Sequence, residues 1–367
     1  MKPDYQFGRI EKSDVPSICK FLSRVFKRAY SQEHFLWKYF GNPLGPSSST
    51  VVRFDEEVVG FLGTIAARFI VDGNETLAGQ GADIAIDEAH RRLDVFLGLM
   101  SAFESRARAE GITFTYGTSN GDVDELNSVL SFQSPICRVP RLVRLMDAGE
   151  LLKRSAGSLP VKLSTAAFSW AFKRARVKKE VKPPRGARFS EVTRFDARFD
   201  RLWERMAPDK RVSVIRDSDY LNWRLIDAPQ RSKQVVCLET TSGDEILGFI
   251  GLFEISDNGF RRGMIIESAV PDKEQPAVFR ALLDAALQWF AKRKVGIVDC
   301  WMLTTDRWYQ EARRRGFMPR QTDTARVFYH PIETCPPRVT GALADPSNWR
   351  LSISDSDQFD LLDDLRV

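Results

Sequence analysis

The sequence of 367 residues predicts an α/β fold built on a mixed sheet and present twice in the chain. Recurring landmarks are the first reason. Leu36-Trp37-Lys38-Tyr39 with Pro43 returns as Leu221-Asn222-Trp223-Arg224 with Pro229, and the Trp and Pro pairs are both displaced by 186 positions. Val58-Val59-Gly60-Phe61-Leu62-Gly63 returns as Ile246-Leu247-Gly248-Phe249-Ile250-Gly251, displaced by 188, and Ser131-Phe132 as Gly316-Phe317, displaced by 185. Insertions in surface loops produce drifts of this size, and the spacing is far too long for a solenoid repeat. Length is the second reason, since the chain can supply two domains of ordinary size. The third is the order of elements, which is the same in both halves.

The first half opens with a strand at Phe7-Gly8-Arg9-Ile10. Ser13 or Asp14 can cap the next helix, with Pro16 in its first turn and Ile18, Leu22, Val25 and Phe26 at helical spacing. A second helix carries residues 35–40 and stops at Gly41-Asn42-Pro43. Strands follow at 50–54, 58–66 and 79–86, with a turn at Asp55-Glu56-Glu57 and a hairpin at Val71-Asp72-Gly73-Asn74. After a charged loop at 87–92 comes an amphipathic helix with Val95, Phe96, Leu99, Met100 and Phe103 on one face. A buried strand at 112–117 and a short helix at 123–130 complete the unit. The second half repeats this with strands at 189–192, 235–239, 245–254 and 264–270. Its long helix, 276–292, turns Val278, Phe279, Leu282, Leu283, Leu287 and Phe290 inward, ahead of a strand at 295–302, a helix at 307–315 and a strand at 325–329. The expected boundaries are an N-terminal domain at 1–149, a basic helical connector at 150–187, a C-terminal domain at 188–333 and an acidic tail at 334–367.

Composition narrows the functional classes. A hydrophobic fraction of 43% and a charged fraction of 28% are those of a soluble globular protein. No run approaches the ~18 apolar residues of a spanning helix, and Met1-Lys2-Pro3-Asp4-Tyr5 lacks the apolar core of a secretory signal. Five scattered cysteines without a CxxC pair point to reduced thiols and a cytoplasmic protein, and three histidines without ligand spacing give no expectation of a metal. The net charge of +5 is uneven. Eleven basic residues lie between Leu151 and Arg188 against Glu180 alone, whereas 355–364 holds five aspartates. The basic stretch reads as a solvated interdomain helix and linker, or as a surface for anionic lipid, nucleic acid or a phosphorylated substrate. Phe168, Trp170 and Phe172 among its charges keep membrane contact open.

The stretch Ala82-Asp83-Ile84-Ala85-Ile86, then Asp87-Glu88-Ala89-His90-Arg91-Arg92-Leu93-Asp94-Val95-Phe96, is an apolar strand, an arginine-bearing loop and a helix start. With the element order, it resembles the GNAT acyltransferase superfamily in a tandem arrangement, over roughly residues 5–140 and 188–330. Arg91 takes the arginine position of the family's Arg-x-x-Gly-x-Gly/Ala signature, and Asp94 stands where the family has glycine. The Trp-bearing helix is also similar to GNAT-like proteins of bacterial surface-polysaccharide gene clusters. The resemblance implies tandem acyl-CoA N-acyltransferase domains using acetyl-CoA or another acyl-CoA as co-substrate. Ile84, Ala85 and Ile86 would present strand amides to the pantetheine arm. Arg91, Arg92, Leu93, Asp94, Val95 and Phe96 would supply the turn and helix start that hold the pyrophosphate, consistent with unpaired N–H groups there forming an anion site. Asn120 resembles a family asparagine that binds the pantetheine arm, or it caps the next helix. The second copy's loop, Pro271-Asp272-Lys273-Glu274-Gln275-Pro276, has neither glycine nor arginine, so only the first copy is expected to bind acyl-CoA.

Acyl transfer to an amine needs a neutral amine close to the carbonyl, a base for its proton and an acid for the thiolate. Alternation places Gln80, Ala82 and Ile84 on the cleft face, and none of these is a base. Asp83 is the acid of that strand, with Glu267 as its counterpart in the second copy. It reads as a base or amine-binding group, or as a structural partner for a nearby cation. Tyr116, ahead of Gly117-Thr118-Ser119-Asn120, reads as a proton donor to the thiolate or as a half-buried aromatic. His90 is a phosphate-loop ligand or a solvated residue, and Trp37 and Trp223 read as core anchors. The expected function is acyl-CoA-dependent N-acetyl transfer to an amino group of a sugar or peptide-like small molecule. The alternatives are an aminoacyl-tRNA-dependent aminoacyl transferase and a non-catalytic binding protein.

Overall fold

The computed structural model describes residues 4–119, 137–147, 180–207, 211–229, 233–257, 260–273, 276–357 and 359. One continuous mixed sheet runs through them. Its first half is β1 (Gln6–Arg9), β2 (Thr50–Phe54), β3 (Glu57–Val71), β4 (Asn74–Ile86) and β5 (Ile112–Ser119). Neighbours in it are antiparallel except the β4–β5 pair. The chain continues as β6 (Cys137–Leu145), β7 (Ala187–Glu191) and β8 (Val212–Val214). β7 edges the second half, which runs through β9 (Lys233–Thr240), β10 (Ile246–Asp257) and β11 (Phe260–Ala269) to β12 (Ile297–Trp301), with β11 and β12 parallel.

The halves join by exchanging strands. β6 follows β5 in the chain but pairs with β12, while β13 (Met318–Pro331) follows β12 but pairs with β5. The two exchanged strands lie side by side and antiparallel. β13 is longer than the 325–329 expected from its sequence because it serves both neighbours, β6 from Met318 and β5 to Pro331. β8 adds a further cross-tie by pairing with the end of β3.

Helices cover both faces. α1 (Val15–Phe26) has Pro16 in its first turn and buries Val15, Ile18, Cys19, Phe21 and Leu22. It ends at Lys27, whose φ of 53° is left-handed. On the opposite face α3 (Leu93–Ala109) packs Val95, Leu99, Phe103 and Ala107 on Val52, Val59, Leu62 and Ile112. α1 belongs instead to a core that the two copies share, together with α4 (Ala197–Met206). The second copy's long helix, α6 (Pro276–Lys292), has its own core with α7 (Tyr309–Arg314).

In each copy a short helix, α2 (Gln32–Phe35) or α5 (Ser218–Leu221), runs into one π-helical turn, Leu36–Phe40 or Asn222–Ile226. These turns carry Trp37 and Trp223 to a pseudo-twofold contact. The indole rings stack with centroids 5.4 Å apart. Each indole N–H donates to the other tryptophan's carbonyl oxygen, at 2.8 and 2.9 Å.

The residues expected to form an acidic tail behave differently. α8 (Pro337–Ala344) buries Val339, Ala342 and Leu343. Beyond it Ser354, Asp355 and Ser356 are only 1%, 2% and 0% exposed. An aspartate run is ordinarily solvated, but here Arg216 bonds Asp355, and Arg224 the carbonyls of Ser354 and Ser356, which makes burial tolerable. Asn120, the helix expected at 123–130 and residues 150–179 of the basic connector lie outside the described residues. Among the described residues no helix is long and apolar enough to cross a membrane.

Candidate active site

The site begins where β4 and β5 part. Their parallel pairing runs from Leu77↔Ile112 to Gln80↔Tyr116 and stops. Beyond it β4 pairs with β3 and β5 with β13, and among the described residues their facing edges have no strand partner. Gly81 and Gly117 flank the divergence. A Cβ on Gly81 would meet only the Tyr116 carbonyl oxygen at 3.9 Å, and one on Gly117 only the Gly81 carbonyl oxygen at 3.8 Å. Among the described residues nothing crowds the start of the gap.

A bulge in β4 shapes its wall. Between the pairs Phe61↔Ala85 and Gly63↔Ala82 the register shifts, and Asp83 adopts φ 53°. This breaks the alternation assumed from sequence. Gln80 and Ala82 are buried toward the shared core, Asp83 joins them, and Ile84 turns out to 47% exposure. Asp83 is committed there. Its Oδ2 accepts from Lys38 Nζ at 2.8 Å, from Tyr39 OH at 2.6 Å and from Tyr30 OH. Burial opposes the charged form, but the Lys38 ammonium and these hydrogen bonds outweigh it and hold the carboxyl below its ordinary range. A carboxylate so occupied is a poor proton acceptor, and the geometry makes it an anchor for the bulge.

The turn after β4 is tied on several sides. Asp87 pairs with Arg24 of α1 at 2.6 Å, and Arg91 Nε donates to the Ile86 carbonyl at 3.1 Å. His90 receives or gives a hydrogen bond at Tyr5 OH, 3.0 Å away, and packs edge-on to that ring, which accounts for it as a loop strut. Arg92 forks onto Asp94, Nε to Oδ1 at 3.0 Å and Nη2 to Oδ2 at 2.8 Å. Asp94 Oδ1 also accepts from the Val95 amide at 3.1 Å. The hydrogen bond from Arg92 holds the Asp94 carboxyl below its usual range, so the aspartate at the glycine position is matched by a cation two residues away. Leu93 and Leu97, 69% and 55% exposed, project at helical spacing from the start of α3.

Tyr116 stands at the last pair of the zipped segment, buried against Phe69 with ring centroids 5.0 Å apart. Burial pushes its phenol well above the ordinary range, helped by Tyr220 and Asp355, so the hydroxyl keeps its proton.

The second copy repeats the scheme. β11 and β12 pair as far as Ile265↔Cys300. Past that point Glu267, Ser268, Phe279, Trp301, Phe317 and Ser352 are among the residues that line a cavity. Glu267, the counterpart of Asp83, is saturated. Arg216 donates at 2.9 Å, Arg350 at 2.9 Å, Ser352 at 2.8 Å and Ser354 at 2.7 Å. Burial opposes its ionisation, yet Arg216 and Arg350 lower its pKa to about 2. A folded pKa below the unfolded value stabilises the fold above the ordinary glutamate range, and that stability is lost as pH falls toward about 2. Denaturant midpoints followed downward from neutral pH should show a loss on the order of a few kcal/mol in that window, and Glu267→Gln should flatten it.

The parted parallel strands, the bulge and the turn into a central helix are the architecture of the GNAT acyltransferase fold. Solved structures agree: yeast (Saccharomyces cerevisiae) N-myristoyltransferase with bound myristoyl-CoA superposes with a TM-score of 0.64 at 12% identity, covering 90% of this chain and 80% of that one. A GCN5-related N-acetyltransferase from Anabaena variabilis gives 0.63 at 9% identity, over 90% and 74%. No curated protein matches in sequence. More particularly, residues 6–120, the part of the chain that contains the parted strands, match the acetyltransferase (GNAT) domain family.

Proposed function

We propose that the N-terminal unit is an acyl-CoA-dependent N-acyltransferase, transferring an acetyl or other acyl group to the amine of a sugar or peptide-like small molecule. The parting of β4 from β5 at Gln80 and Tyr116 supports this reading most directly. A pantetheine arm carries amides that need partners, and the edge of β4 at Ile84, Ala85 and Ile86, which has no strand partner among the described residues, is the candidate to offer them. Exposed Ile84, Leu93 and Leu97 give its apolar parts a surface. The pyrophosphate falls at the start of α3, where the backbone of Leu93 to Phe96 and the side chains of Arg91 and Arg92 carry positive potential.

In the reaction the amine nitrogen attacks the thioester carbonyl, the C–S bond breaks, and the thiolate leaves with a proton. Tyr116, at the last residue pair before the strands part, is the candidate to give that proton. Asp83 holds the bulge that aims the strand. The second copy, whose loop at 271–276 has neither glycine nor arginine, supports the first.

Coenzyme A or acetyl-CoA should raise the melting temperature, by an amount equivalent to about 2.7 kcal/mol at a hundredfold excess over Kd. Joint replacement Arg91→Ala and Arg92→Ala should abolish the shift, which thermal unfolding with and without ligand will measure. A wild-type protein that ignores both ligands would sink the reading. An undiminished shift in the double variant would place the pyrophosphate elsewhere.

A further inference from the structure

The start of α3 already holds a negative group of its own. A helix beginning offers N–H donors and positive potential to an anion. Here Phe96 N–H bonds the Arg92 carbonyl at 3.1 Å, closing the first helical turn, while Val95 N–H donates to Asp94 Oδ1 at 3.1 Å. The same oxygen accepts from Arg92 Nε at 3.0 Å, and Oδ2 accepts from Arg92 Nη2 at 2.8 Å. One carboxylate thus takes a backbone amide and both arms of a guanidinium, the donor set on which a phosphate would draw. Asp94 stands where the family signature has glycine, so this occupant is a feature of the present chain.

The two arginines of the turn are in different situations. Arg92 is matched by Asp94. Arg91 uses only Nε, on the Ile86 carbonyl at 3.1 Å, and among the described residues it pairs with no carboxylate. The Arg92–Asp94 fork lies open to water, with side chains 51% and 61% exposed, so opening it costs little. A separate observation marks the same spot as a ligand surface. Leu93 and Leu97, on the first two turns of α3, present apolar side chains to solvent beside the fork, suited to the uncharged part of the molecule whose phosphates the arginines take.

We infer that Asp94 is an internal stand-in for the pyrophosphate of acyl-CoA, holding Arg92 and the Val95 amide until the phosphates displace it, and that its charge sets the affinity of the nucleotide end. This rests on the acyltransferase reading above and gives the aspartate a task within it. Binding exchanges one anion for another. Arg92 turns from Asp94 to the phosphates, Arg91 joins it, and the displaced carboxylate faces water while still repelling the phosphates. The thioester is therefore held less tightly than two arginines and a helix start alone would hold it, and coenzyme A leaves more readily after transfer.

Titration calorimetry tests this with wild type, Asp94→Asn and Asp94→Ser, using coenzyme A and, as a competitor, pantetheine, which lacks the phosphates. Both variants keep a side-chain oxygen for the Val95 amide and remove the charge. They should bind coenzyme A about 10-fold more tightly than wild type, with pantetheine the same in all three proteins. Arg92→Ala should weaken coenzyme A binding about 3-fold more in Asp94→Asn than in wild type, because only wild type must first open the fork. Unchanged affinity, weaker binding in the variants, or an equal gain for pantetheine overturns the inference; weaker binding would make Asp94 the residue that aims Arg92 at the phosphates. The two levels separate cleanly. Equal coenzyme A affinity in all three proteins defeats the stand-in and leaves the acyltransferase reading in place, whereas no binding by any of the three defeats that reading itself.

Discussion

Arg216→Ala is expected to destabilise the protein by about 3–5 kcal/mol, the usual cost of removing one partner from a buried ion pair. Arg216 is 1% exposed and bonds Glu267 at 2.9 Å and Asp355 at 2.5 Å. It also reaches Ser213 Oγ and the Val214 carbonyl, each at 2.9 Å. Alanine would leave Asp355 buried without its cation, and the C-terminal segment would lose its hold on β11. Arg350 and the two serines would still serve Glu267. The damage should therefore concentrate on residues 352–357, with faster amide exchange there than in α3. Urea midpoints measure the total, and a loss under about 1 kcal/mol would show that packing rather than charge seats the segment.

Trp37→Ala should cost a similar amount, about 3–5 kcal/mol for a large aromatic in a core. The loss has two parts, the ring contact and the hydrogen bond to the Trp223 carbonyl. Trp37→Phe keeps most of the first and removes the second, so it should be milder. Trp223→Ala should match Trp37→Ala, and the double variant should fall well short of the sum, because each single change already breaks the shared stack. Denaturant unfolding of the four proteins gives the coupling directly. Additive losses would mean that the two indoles act independently.

Much of this was readable in the residues. The repeat offsets announced the duplication, and apolar spacing located α1, α3 and α6. The strand-to-helix turn with Arg91 and Arg92 fell where the parted strands lead. Three things were hidden, each for a physical reason. A bulge is a local backbone choice with no side-chain signature, so period-two reasoning put Ile84 on the face it leaves and missed that Asp83 arrives there. Strand exchange depends on which edges meet, and β6 carries the same pattern whether it lies beside β5 or β12. The C-terminal aspartates signalled solvent because their partners, Arg216 and Arg224, lie more than a hundred positions away.

The crossing of β6 and β13 means that the duplication cannot be undone by cutting the chain in two. Each fragment would carry away the strand that finishes its sibling's sheet and leave its own parallel pair with a raw border. Such halves are interdependent, like clasped hands. The second copy is thus retained by architecture whatever becomes of its own chemistry, free to lose a binding loop while it still lends the first copy a strand and a wall.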